Sequence, residues 1–161
     1  MLQHDLDFLF HPNSIALVGI TTAKTWHWTL TFLEGLLQIG FDRPLYLVNP
    51  KGGEIRGHKI YASLKDVPGN VDYVIGLVNA QIAAGLVEEC AEKGVRAIHF
   101  CTAGFSETGE PDRVKLESEL AEAARKKGIR IIGPNCMGIY CPQSRLSFSP
   151  AFPPESGPVG V

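Results

Sequence analysis

The sequence predicts an α/β fold with a doubly wound parallel sheet of about five strands, and three observations lead there. Short apolar runs alternate with amphipathic helical stretches along the chain. The apolar runs are near-continuous, as in strands covered by helices on both faces. Three helix-to-strand joints share one recipe, a glycine stop and then an apolar run, at Gly40, Gly94 and Gly128.

Residues 6–10 read as a lead-in helix closed by His11-Pro12, and residues 15–18 (IALV) as the first strand. That strand runs into Gly19 and the hydroxyl-rich loop Thr21-Thr22-Ala23-Lys24. A helix with Leu30, Leu33, Leu36 and Leu37 on its inner face follows. Strand, glycine, polar turn and helix together aim backbone N–H groups and a positive dipole end at an anion. Residues 44–48 form the second strand, ended by Asn49-Pro50-Lys51, and residues 54–65 a small irregular hairpin with one helical turn. The third strand spans 72–78, and Asn79 caps a helix with Ile82, Ala83, Leu86, Val87 and Cys90 inward. Residues 97–101 are the fourth strand, before Thr102-Ala103-Gly104-Phe105. A charged helix over 113–127 turns Leu116, Leu120 and Ala124 inward. Residues 129–132 are the fifth strand, ending in Gly133-Pro134-Asn135-Cys136. The expected strand order is 3-2-1-4-5, with Gly19, Asn49, Val78, Thr102 and Pro134 gathered at one edge as the walls of one site.

At 161 residues, 45% hydrophobic and 20% charged, the chain has the proportions of one globular domain. A net charge of -2 supplies no electrostatic case for nucleic acid or an anionic membrane as partner. No apolar run approaches the ~20 residues that span a bilayer. Cys90, Cys101, Cys136 and Cys141 lack disulfide-framework spacing, and Cys90 and Cys101 fall in elements expected to be buried. Reduced thiols and a cytoplasmic setting are the expectation. The stretch 142–158 is rich in Pro and Ser, and 158–161 reads as the opening of a further strand. The division expected is a binding domain over 1–141, then a linker and the start of a following domain over 142–161.

Neither GxGxxG nor GxxxxGK[ST] is present. A NAD site wants a carboxylate at the end of the second strand, where this chain has Asn49-Pro50-Lys51. A lysine there suits CoA or NADP better, with Lys24 as a second cation; a solvated loop lysine is the alternative. Asn79 and Val78 close the third strand beside that place. No residue is assigned a catalytic or metal-ligating role. His4, His11, His27, His58 and His99 read as structural or solvated, and Cys136 lacks a histidine placed as its base.

The stretches "LDFLFHPNSIALVG", "LYLVNPKGGEIRGHKIYASLKDVP", "EECAEKGVRAIHFCTAGFSETGE" and "IRIIGPNCMGIY" resemble, in order and spacing, the N-terminal CoA-binding domain of NDP-forming acyl-CoA synthetases. These are relatives of the succinyl-CoA synthetase alpha subunit. The resemblance implies a Rossmann-like fold with coenzyme A as the bound group. Gly19, Thr21, Thr22, Ala23, Lys24 and Lys51 would then hold the phosphates and nucleotide. Thr102, Ala103 and Gly104 would hold the pantetheine, with Asn135 and Cys136 near the thiol. It also implies partner ligase and nucleotide-grasp domains, and no catalysis by this piece alone. Two places depart from the family pattern: Thr25-Trp26-His27-Trp28 stands where proline, glycine and lysine before further glycines are usual, and Asn79 stands where proline is usual. The tryptophans either block the diphosphate or wall the adenine. Two alternatives stay open, an NADP-binding oxidoreductase domain and an acyl-CoA-sensing module fused to an acetyltransferase.

Overall fold

The computed structural model describes residues 6–23 and 25–157. Its elements are α1 (Asp7–Phe10), β1 (Ile15–Val18), α2 (Leu30–Gln38), β2 (Leu45–Val48), β3 (Gly53–Ile55), β4 (His58–Tyr61), β5 (Tyr73–Gly76), α3 (Ala83–Lys93), β6 (Ala97–Phe100), α4 (Pro111–Lys126) and β7 (Arg130–Ile132). They form one sheet in the order β3-β4-β2-β1-β5-β6-β7, parallel throughout except for the β3·β4 hairpin.

The α/β expectation holds, and two of its details are corrected. Seven strands are present rather than five. The third strand of the sequence reading, now β5, pairs with β1 and not outside β2. The outer place is taken by β4, which comes from the expected hairpin and pairs parallel with β2 at Leu47↔Ile60 and Val48↔Tyr61. Only Ile60 of β4 is deeply buried, so this strand left no apolar run to read.

Alternation along each strand divides the core between the two faces. Ala16, Val18, Val74, Ile98 and Phe100 meet α3 and α4. Ile15, Leu17, Tyr73, Ile75 and Ala97 meet α2. On α2, Phe32 takes the buried place expected of Leu37, which is 39% exposed. Residues 139–149 also lie on this face: Leu146 is buried, Cys141 and Leu146 form a bridge, and Ser144 bonds its hydroxyl to the Phe10 carbonyl. Gly35 lets that segment approach α2, because a Cβ there would stand 2.6 Å from the Ser149 nitrogen. Among the described residues no helix is long and apolar enough to cross a membrane.

Gly40, Gly94 and Gly128 have φ of 78°, 79° and 70°, the left-handed stops read from the sequence. Gly19 is under a tighter constraint. Its φ is 93°, and a Cβ would overlap the Leu77 carbonyl, with its carbon 2.8 Å away. Gly19→Ala is therefore expected to lower stability by about 2 kcal/mol or more, from the left-handed backbone and the clash together. Urea unfolding measures it, and an unchanged midpoint refutes the constraint.

Candidate functional site

The carboxyl ends of β1, β2 and β5 open into a cleft of about 600 Å³. Strand order reverses between β1 and β5, so the loops leaving these two strands diverge and leave a crevice. Gly19 donates its N–H to the Val48 carbonyl at 2.9 Å, and Leu77 donates to Val18 at 2.7 Å. Those bonds carry the ladders one residue past the strands before the chains part. Val18, Val48, Pro50, Leu77, Val78 and Leu86 supply apolar walls, and Asn49, Ser63, Asn79, Gln81 and Glu89 supply polar groups.

Of the residues singled out in the sequence for the site, Gly19, Asn49, Val78 and Asn79 line this cleft. Thr102 stands next to it, buried, and donates its hydroxyl to the Val78 carbonyl at 2.7 Å, tying the ends of β5 and β6 together. Asn135, at φ 50°, donates its N–H to the Thr102 carbonyl at 2.9 Å and so joins the same edge. Gly104 faces Ala80 without touching through a side chain: a Cβ placed on it would stand 3.8 Å from that methyl group. Thr21, Thr22, Ala23, Lys51, Ala103 and Cys136 are not among the lining residues. Lys51 is exposed and follows Pro50, which is one of them. Lys24 and His4 lie outside the described residues.

The first loop differs from its expected geometry. α2 starts at Leu30, eleven residues after Gly19, so no helix N-terminus follows the glycine turn directly. Two of the loop amides expected to face a ligand are already bonded: Thr21 N–H to Thr29 Oγ1 at 3.1 Å and Ala23 N–H to Thr21 Oγ1 at 3.0 Å. Thr29 N–H points at His27 Nδ1, 3.3 Å away, which makes that nitrogen an acceptor. The Thr29 hydroxyl, 2.9 Å from the same atom, then donates to it. His27 has a loop-bracing role. Trp28 packs edge-on to Phe32 on the α2 side at 6.1 Å, and neither it nor the exposed Trp26 lines the cleft.

The turn after β6 is held by Glu107, whose carboxylate accepts the N–H groups of Gly104 at 2.6 Å and Phe105 at 3.0 Å. The Gly104 bond, foremost, keeps the Glu107 carboxyl below its ordinary range. Asn79 is corrected as a helix cap. Its side chain makes no capping bond, its carbonyl receives the Ile82 N–H, and a 3₁₀ turn over Ala80–Ile82 precedes α3. Ile82 is 57% exposed and turns toward the cleft rather than the core. Cys101, expected to be buried, is only partly so. Cys136 has no base in His99, whose Nε2–H donates to the Cys136 carbonyl at 2.6 Å.

Sequence reading missed Ser63, Gln81, Gly85 and Glu89. One of them carried a usable signal, because a glycine inside a helix costs about 1 kcal/mol relative to alanine. Gly85 has helical backbone, and a Cβ on it would meet nothing within 4 Å. Packing does not demand that glycine, so its effect is to leave the cleft wall low.

Residues 13–142 match the family model described as CoA binding domain. The chain belongs to the CoA-binding domain family. Its sequence is similar to subunit alpha of the ADP-forming acetate–CoA ligase I of Pyrococcus furiosus, 35% identical over 170 residues, covering 97% of this chain and 36% of the relative. It is also similar to subunit alpha of ligase II of that organism, 39% identical over 142 residues, covering 88% and 30%. Among solved structures, a dinucleotide-forming acetyl-coenzyme A synthetase 1 of Ca. Korarchaeum cryptofilum, in complex with phosphate and ADP, superposes with a TM-score of 0.83. That protein is 34% identical, with 94% of this chain and 32% of the other covered. A hypothetical protein from Pyrococcus horikoshii OT3 is nearer this chain in size: TM-score 0.57, 25% identity, 81% and 82% covered. The chain spans between 21 and 36% of the length of the first curated relatives.

His99 generates a pH prediction. It is 1% exposed, and Nδ1 has no hydrogen-bond partner among the described residues. Burial lowers its pKa from the ordinary 6.5, against a smaller opposing effect of the Cys136 carbonyl. The unfolded chain therefore takes up a proton that the folded chain refuses as pH falls below about 6.5, so this contribution is complete above that pH and declines below it. Unfolding free energies from urea titrations between pH 7 and 5 are expected to fall less steeply in His99→Gln, by up to about 1.4 kcal/mol per pH unit. Equal slopes refute it.

Proposed function

We propose that this chain binds coenzyme A in the cleft at the carboxyl ends of β1, β2 and β5, as the CoA-binding part of an ADP-forming acyl-CoA synthetase. The observation that carries the reading is the position of Gly19, Val78 and Asn79 in one crevice at the strand-order reversal. The apolar walls and Glu89 suit the neutral base of the nucleotide. A carboxylate there repels phosphates, which belong toward Lys51 and the loop over 20–24. Thr102, Ala103, Gly104, Asn135 and Cys136 then lie along the path of the pantetheine arm. The binding unit covers residues 1–141, with 142–149 packed against its α2 face. Acyl transfer and phosphoryl transfer belong to other domains or a partner subunit, in a cytoplasmic enzyme.

Calorimetry with CoA, dephospho-CoA and NADPH tests the ligand. CoA is expected to bind, and Lys51→Ala to weaken it about tenfold, the effect of losing one charge-assisted contact. Binding of NADPH with no response to CoA overturns the reading in favour of an oxidoreductase domain. Gly85→Leu tests the place. The variant is expected to fold at least as stably as the natural chain, since leucine is the better helix former and Gly85 faces open space. A tenfold or greater loss of CoA affinity is expected with it. Unchanged affinity puts CoA elsewhere.

A further inference from the structure

A second cavity, of about 580 Å³, lies at the opposite end of the sheet from the cleft, around the start of the edge strand β7. Four of the seven arginines are ion-paired: Arg43 and Arg145 to Asp42, Arg56 to Glu34, and Arg113 to Glu110. The other three, Arg96, Arg125 and Arg130, make no ion pair among the described residues, and all three line this one cavity. Arg96 lies over the Phe8 ring at 4.1 Å, which holds its guanidinium in place without neutralising it. Arg125, in the last turn of α4, feels the partial negative charge of the helix end and the Glu122 carboxylate one turn earlier, without a close ion pair. The carboxylate of Asp72, on the loop before β5, is held by the backbone and side-chain N–H groups of Asn13, at 3.0 and 2.9 Å. Phe8, Ala124 and Ile131 make the floor apolar.

The backbone supplies the second half of the site. Arg130 donates its N–H to the Arg96 carbonyl at 2.9 Å, and Arg130 is in register with Ala97. In a parallel ladder alternate residues bond to a given neighbour, so Ile131 points its N–H and C=O away from β6, along an edge with which no strand among the described residues pairs. An open strand edge flanked by guanidiniums and apolar side chains fits an extended chain carrying carboxylates.

We propose that β7 is a docking edge for an extended acidic segment of another polypeptide, which pairs with Ile131 and sets its carboxylates among Arg96, Arg125 and Arg130. A second copy of this chain is the wrong occupant, because edge-to-edge pairing would bring Arg130 of one copy against the same basic edge of the other. The proposal is independent of the CoA reading, since the two sites lie at opposite ends of the strands.

The probe is a capped Glu-Val-Glu-Val-Glu peptide, with Lys-Val-Lys-Val-Lys and inorganic pyrophosphate as controls, followed by amide NMR and hydrogen exchange on the full chain. The acidic peptide is expected to shift and slow the Ile131 amide and to bind at least tenfold more tightly than the basic one. The effect is expected to disappear in Arg125→Gln/Arg130→Gln, whose exposed side chains leave the thermal midpoint unchanged. Equal binding of both peptides overturns the proposal. So does pyrophosphate binding at the arginines without any peptide effect on Ile131, which means a small-anion site. Dimerisation through β7 in sedimentation overturns it as well.

Discussion

The close approach of the β1 turn to the β5 turn is the constraint on which the ligand cleft depends. At Gly19 the backbone adopts a left-handed conformation and passes so near the Leu77 carbonyl that no side chain fits between them. That contact keeps β1 and β5 paired to their last residues, Val18 and Gly76. One residue later the two chains turn to opposite faces, β1 toward α2 and β5 toward α3. A crevice at the reversal of strand order follows from the connectivity, and Gly19 determines how deep in the sheet it starts.

Around the crevice, most of the unusual turn residues bond to the protein itself. Asn49 reaches across to the Ile20 carbonyl at 2.9 Å and accepts the Lys51 N–H at 2.9 Å, joining the β1 and β2 turns. Thr102 does the same for β5 and β6, Asn135 for β6 and β7, and Glu107 folds the β6 turn on itself. Motif residues in this chain therefore fall into two kinds. Gly19, Val78 and Asn79 border open space, whereas Thr102, Glu107 and Asn135 hold the turns that border it. A loop with its amides satisfied internally keeps its shape without a ligand, which lowers the ordering cost of binding.

Much of the core was legible because near-continuous apolar strands and glycine-stopped helices are written locally. Leu30, Leu33 and Leu36 on α2, and Ala83, Leu86, Val87 and Cys90 on α3, are buried as the 3.6-residue pattern indicates. Leu37 and Ile82 are exposed because each lies where its helix has no neighbour, at the end of α2 and in the turn leading into α3. Periodicity records the intended face of a helix but not where the opposing layer stops.

By itself the sequence determined the alternation of strands and helices, the left-handed stops at Gly40, Gly94 and Gly128, and the family. Each of these is encoded in contiguous residues. Tertiary structure alone decided the strand order, because the short polar strand β4, with one buried residue, competes for the edge of β2 through backbone bonds that leave little mark in side-chain hydrophobicity. It also decided which polar residues border the cleft. Ser63, Gln81, Gly85 and Glu89 belong to segments far from the β1 turn along the chain: Gln81, Gly85 and Glu89 come with α3 and the turn before it, and Ser63 comes with the chain leaving β4, which pairs with β2.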